Sequence, residues 1–194
     1  MWLAALTFAV VSHSVAVAGA GRLLRLPVEE LAFGLGPGVA VRLRPLGVRP
    51  RFVLGGYVAF TEPEQLTAGQ RVLLALAGVV PALVLATFFL GSGVLPELWQ
   101  AVVDLLAARS PTGLAQVALA DAHACYRDDP RRFAALLLVK VAAWNLLPLP
   151  HVGIGQALAM VLPLRLRERL TIASVLLALV WLVLWMVAIG VYVL

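Results

Sequence analysis

Four long apolar segments dominate this chain of 194 residues and limit what it can fold into. They run over about 2–20, 72–90, 133–147 and 170–194. A helix needs about 20 mainly apolar residues to cross the hydrocarbon layer of a bilayer. The pattern therefore predicts an all-α polytopic membrane protein with about four transmembrane helices in a single membrane domain.

The composition agrees with that prediction and excludes several classes of protein. Hydrophobic residues make up 62% of the chain and charged residues 13%, against about 45–50% and about 25% in soluble domains. A soluble enzyme, a disordered tail and a nucleic-acid module are excluded on this ground. The single cysteine, Cys125, excludes an intramolecular disulfide.

The charges of the connections predict how the chain is oriented. Basic residues are in excess in the first connection, which has seven arginines against four glutamates, and in the third, which has three arginines against one glutamate. Such an excess marks cytoplasmic loops. We therefore expect an integral protein of a bacterial inner membrane with both termini outside. The net charge of +5 indicates contact with the lipid bilayer through anionic headgroups rather than with nucleic acid.

Two connections contain patterns of their own. Residues 34–38 form a glycine- and proline-rich turn cluster, and the alternating pattern at 39–47 predicts a strand that pairs with 51–60. This gives a membrane-associated β-hairpin at about 39–60, between the first and second spans. The outer connection, about 92–131, is typical of one or two short amphipathic helices.

Three segments, in this order, resemble the site-2 protease family of intramembrane zinc metalloproteases. Phe33-Gly34-Leu35-Gly36-Pro37 is similar to the family's turn after the first helix, and Leu54-Gly55-Gly56-Tyr57-Val58 to its hairpin strand. Asn145-Leu146-Leu147-Pro148-Leu149-Pro150 is similar to the lead-in to its third-helix aspartate motif, and Ala77-Gly78 is a weaker match in the second span. The resemblance implies a membrane core that grips a partner segment. It assigns partner binding to a set on the hairpin strand and at the break of the third helix: Gly55, Gly56, Tyr57, Val58, Asn145 and Pro148.

The resemblance also implies a zinc site, and the residues for it are largely missing. The family motif places two histidines four residues apart on one helical face, with a glutamate general base beside the first and an aspartate ligand on the third helix. The family's spacing puts the first histidine at His13, which is present. Ser14 then stands at the position of the base, Val17 at the second histidine and Gly153 at the aspartate. A catalytic zinc normally has three protein ligands, so we expect no catalytic residue and no cofactor.

A displaced metal site is the alternative to that interpretation. It would use His13 and His151, with a third ligand from His123, Asp121 or Cys125 in the outer connection. The simpler expectation is a buried His13 hydrogen-bonded within the bundle, a loop position for His151, and packing roles for His123 and Cys125.

Three functions follow from these observations. The favoured one is a catalytically inactive, site-2-protease-like scaffold or complex subunit that binds a transmembrane or membrane-proximal partner. The second is an active intramembrane metalloprotease with a non-standard or partner-completed zinc site. The third is a small transport or channel subunit in which Lys140, Asn145 and His13 line a polar path.

Overall fold

The computed structural model describes residues 2–38, 41–43, 46–60, 66–149, 153–159 and 161–194. The described chain is mostly helical and includes a small antiparallel sheet. The helices are α1 (Trp2–Leu23), α2 (Ala68–Leu90), α3 (Val94–Ala107), α4 (Leu114–Asp128), α5 (Pro130–Leu146), α6 (Gly153–Ala159) and α7 (Leu164–Val193). The strands are β1 (Val28–Gly38), β2 (Val41–Leu43) and β3 (Leu46–Phe60), and all three belong to one sheet.

Local capping residues define where two of the core helices begin. Thr67 and Gln70 form a capping box at the start of α2, in which each side chain bonds the backbone N–H of the other residue, at 3.2 and 2.9 Å. At the start of α5, the carboxylate of Asp129 accepts from the backbone N–H of Arg131 and Arg132, at 3.1 and 3.0 Å. These bonds satisfy N–H groups that the first turn of a helix leaves without partners.

The core lies between α1, α2, α3 and α5 and consists mainly of small residues. Its buried members are Ala9, Val79, Ala82, Ala86, Val94, Ala101, Ala135, Leu138, Val139, Ala142 and Ala143. Alanine at so many contact positions lets the helix backbones approach closely, as in helix packing within membranes.

Contacts along the helices show how they are oriented. Phe8, near the start of α1, lines one groove with Phe89 from the end of α2 and Pro130 from the start of α5. Helices α1 and α2 therefore run antiparallel, and so do α2 and α5. The end of α1, the start of α2 and the end of α5 lie together at the opposite end of the bundle, which we call the sheet end.

The last helix packs mainly against α4 and leaves most of its apolar surface exposed. The amide Nε2 of Gln116 donates to the carbonyl of Ala188 over 2.9 Å, and Nδ1 of His123 lies 3.1 Å from the hydroxyl of Tyr192. Only 11% of the most apolar part of α7 is buried.

By length and composition, two helical stretches of the described chain could cross a membrane. They are Ala68–Ala107, which continues from α2 through a 3-10 turn into α3, and Leu164–Val193. Helices α1 and α5 occupy the other two predicted spans. At 17 residues, α5 is shorter than the usual membrane-crossing length. The structure thus supports two of the four predicted spans.

The sheet pairs differently from the predicted hairpin. Strand β1 covers the segment 34–38 that was interpreted as a turn cluster, and its register pairs Leu31 with Val58 and Phe33 with Gly56. The segment 51–60 therefore pairs with residues N-terminal to 39–47. The short strand β2 pairs only with the start of β3, where Leu43 faces Leu46. The predicted pairing of 39–47 with 51–60 was wrong, because strand glycines where another backbone comes near look like turn glycines in the sequence. Antiparallel pairing within about 39–60 is present between β2 and the start of β3.

The sheet is anchored on the end of α1. Gly21 lies against the ring of Phe60 and the side chain of Val28, and a β-carbon at position 21 would be 3.0 Å from Cζ of Phe60. Because Val28 and Phe60 are also paired in the sheet, this contact fixes the first β1–β3 pair against the helix.

Candidate functional site

His13 lies in the middle of α1, and its imidazole faces the backbone of α2 at Gly78. A β-carbon built on Gly78 would be 2.5 Å from Nδ1 and 2.7 Å from Nε2 of His13. Nδ1 of His13 is buried with no hydrogen-bond partner among the described residues. The imidazole therefore fills the space that the glycine leaves.

Pro81 lies in α2, three residues after Gly78. Proline has no backbone N–H, so Pro81 leaves the carbonyl of Ala77 without its helical donor. Within membranes, side chains from neighbouring helices often satisfy the backbone that a proline opens. Gly78, against which the imidazole of His13 packs, is the next residue after Ala77.

The other positions of the first-helix motif add no good metal ligand. Ser14 is buried, with 2% of its surface exposed, and Val17 is half-buried. A serine hydroxyl is a weak base and a valine side chain has no donor atom. Position 14 therefore lacks a general base, and position 17 lacks a ligand.

Position 153, where the third zinc ligand would stand, has no side chain and has no space for one. Gly153 begins α6 with φ of +26°, and a β-carbon there would clash with the backbone carbonyl oxygen of Asn145 and lie 2.9 Å from the carbonyl carbon. Glycine is favoured at such a positive φ. An aspartate at 153 could not be accommodated without moving the end of α5.

These residues do not fit the zinc site that the resemblance implies. His13 is the one histidine that remains of the motif, and its imidazole packs against the α2 backbone at Gly78. Within the described ranges, no three His, Cys, Asp or Glu side chains lie together. His151, the second residue of the displaced-site hypothesis, lies outside the described residues.

The remaining members of that hypothesis lie on α4. His123 contacts Tyr192 of α7, with ring centroids 6.1 Å apart in an edge-to-face arrangement. Asp121 is exposed and Cys125 is half-buried on the same helix. Burial raises the pKa of the Cys125 thiol, which makes it a poorer metal ligand at neutral pH because the thiolate is the binding form.

Two of the three polar residues of the third hypothesis, Lys140 and Asn145, have a partner in the structure. Lys140 forms a salt bridge with Asp104 of α3, and Asp104 also accepts from Gln100 over 2.8 Å. The side-chain amide of Asn145 donates to the carbonyl of Val141 over 2.9 Å. The partner Asp104 was not predicted from the sequence, although an aspartate on an amphipathic helix and the single lysine of the chain are a signal for such a pair.

The predicted partner-binding residues lie at the sheet end of the bundle. Gly55, Gly56, Tyr57 and Val58 belong to β3, and β1 pairs with one edge of this segment. Asn145 lies one residue before the end of α5, and Pro148 is exposed just beyond it. Because the sheet is anchored on the end of α1, the topology brings both sets to the same end.

Comparison with known proteins adds no further assignment. No protein-family model matches the chain, and no curated protein matches it significantly.

Proposed function

We propose that this chain is a non-catalytic, site-2-protease-like membrane protein that binds a transmembrane or membrane-proximal segment of a partner. The observation that carries the proposal is the replacement of the motif residues together with the closure of position 153. The imidazole of His13 fills the space over Gly78, and the backbone of Asn145 fills the space beside Gly153. Three of the four chemically required residues are replaced, and position 153 is packed in a way that excludes the aspartate.

The mode of binding that fits the sheet is strand addition. An extended segment adds to an exposed sheet edge through main-chain hydrogen bonds, and side-chain pockets give specificity. Among the described strands, β1 pairs with one edge of the segment 53–60, and β2 pairs only with the beginning of β3. The second edge of residues 55–58 is the edge to which we assign the partner.

Photo-crosslinking tests this assignment directly. A photoreactive phenylalanine replaces Tyr57 in the full chain, with Phe88 as the control position because it is exposed on α2. The proposal predicts a discrete set of membrane-protein crosslinks from position 57 that position 88 does not give. Identical patterns at the two positions would contradict it.

Two proline variants separate strand addition from contact through side chains. Successive N–H groups of a strand point to opposite edges, so one of Tyr57→Pro and Val58→Pro removes an outward donor and the other a donor to β1. For this experiment the photoreactive residue is placed at Val53. The outward variant should lose the crosslink while keeping its unfolding midpoint near that of the parent chain. Retention of the crosslink in both variants would exclude strand addition.

A further inference from the structure

An open apolar groove lies at the end of the bundle opposite the sheet. It has a volume of about 350 Å³ and is formed by α1, α2 and α5. Its lining includes Phe8, Leu85, Phe89, Ala134, Leu138 and Arg131. The volume is near the lower limit for sites that bind small molecules, and the walls are almost entirely hydrocarbon.

Among the described residues that line the groove, Arg131 carries the only charge. The neighbouring carboxylates are already engaged. Glu97 pairs with Arg132 at 3.4 Å, and Asp128 pairs with Arg127 at 3.3 Å. Asp129 accepts from two backbone N–H groups at the start of α5.

Within the described part of the chain, the guanidinium of Arg131 has no hydrogen bond or ion pair of its own. Arg131 is exposed at the first turn of α5. The groove therefore combines a hydrocarbon channel with one unengaged cation at its mouth.

We propose that this groove binds one anionic phospholipid, with an acyl chain along the apolar walls and the phosphate on Arg131. The positive charge of Arg131 favours an anionic phospholipid over an uncharged occupant. A purely apolar partner helix would leave the guanidinium without a partner against hydrocarbon, which is costly. A phosphate accepts two parallel hydrogen bonds from a guanidinium. The inference uses neither the resemblance to proteases nor the strand edge at the sheet end.

Native mass spectrometry of the delipidated full chain in detergent tests the proposal, with phosphatidylglycerol as the probe. We expect one tightly bound lipid per chain. Arg131→Gln should weaken its binding about fivefold. Arg109→Gln, which removes an exposed arginine from the connection between α3 and α4, should leave it unchanged. Equal losses in the two variants would show a general effect of surface charge and would overturn the site.

A second pair of variants tests the groove itself. Ala134→Phe fills the channel and should abolish the tightly bound lipid, whereas Ala120→Phe, at an exposed position of α4, should not. Unchanged binding in Ala134→Phe would overturn the proposal. A chain that binds no lipid but forms a dimer lost in Ala134→Phe would also overturn it, because the occupant would then be a second copy.

Discussion

The imidazole of His13 occupies the volume that a side chain at position 78 would need, so the contact between α1 and α2 depends on having histidine at one position and glycine at the other. This pairing links a residue from the first-helix motif to the Ala77-Gly78 segment of the second span. It gives the histidine a packing role that needs no metal.

Gly78→Ala should destabilise the chain by about 1–3 kcal/mol, because the added methyl group overpacks the contact. The midpoint of thermal unfolding in detergent measures the effect. Gly69→Ala in the same helix, where nothing lies within 4 Å of the new β-carbon, should change stability by no more than about 0.5 kcal/mol. In the background of His13→Ala the cost of Gly78→Ala should largely disappear; an undiminished cost would show that the two residues do not share this space.

Gly153→Asp restores the residue type that the zinc motif requires, and it should nevertheless destabilise the chain by about 1–3 kcal/mol. The cause is the clash with the Asn145 backbone, together with the positive φ that disfavours a side chain. Unfolding measurements check this, with Gly93→Asp as control because nothing lies within 4 Å of a β-carbon there. An aspartate tolerated at 153 at no cost would mean that the third-ligand position is open.

Lys140→Met should cost about 1–2 kcal/mol, because it leaves Asp104 without its cation in a partly buried position. This cost is smaller than for a fully buried ion pair because the side chains of Lys140 and Asp104 remain 35% and 24% exposed. Adding Asp104→Asn should recover part of the loss. A Lys140→Met variant as stable as the parent chain, and without ion flux in liposomes where the parent conducts, would instead favour the polar path.

The raised pKa of Cys125 predicts slow alkylation. Burial disfavours the thiolate, so at neutral pH a maleimide should react more slowly with Cys125 than with a cysteine at the exposed position 120 in a Cys125→Ser background. The rate at Cys125 should go on rising with pH after the rate at the exposed thiol has levelled off. Coinciding pH profiles would contradict the raised pKa.

The sequence predicted those elements whose signals are local. The helices α3 and α4 lie in the outer connection, where the amphipathic spacing predicts one or two short helices. The pairing between segments that are distant in the chain could not be predicted from the sequence. The pattern at 39–47 looked like the partner of 51–60, whereas the partner is β1, whose glycines resemble a turn.

The candidate site shows the same division. The residue types at 13, 14, 17 and 153 can be read from the sequence once the motif is placed. Two further features depend on how α1, α2, α5 and α6 pack. The imidazole of His13 lies against Gly78, and the carbonyl of Asn145 occupies the space beside position 153. The partner of Lys140 likewise depends on α3 folding back along α5.

The most direct test of the central claim is the zinc content of the purified full chain, measured by elemental analysis after expression with added zinc. We predict far less than one zinc per chain, with no difference between the parent protein and His13→Ala. Stoichiometric zinc that is lost in His13→Ala would contradict the proposal that this chain is non-catalytic and holds no zinc at the motif positions.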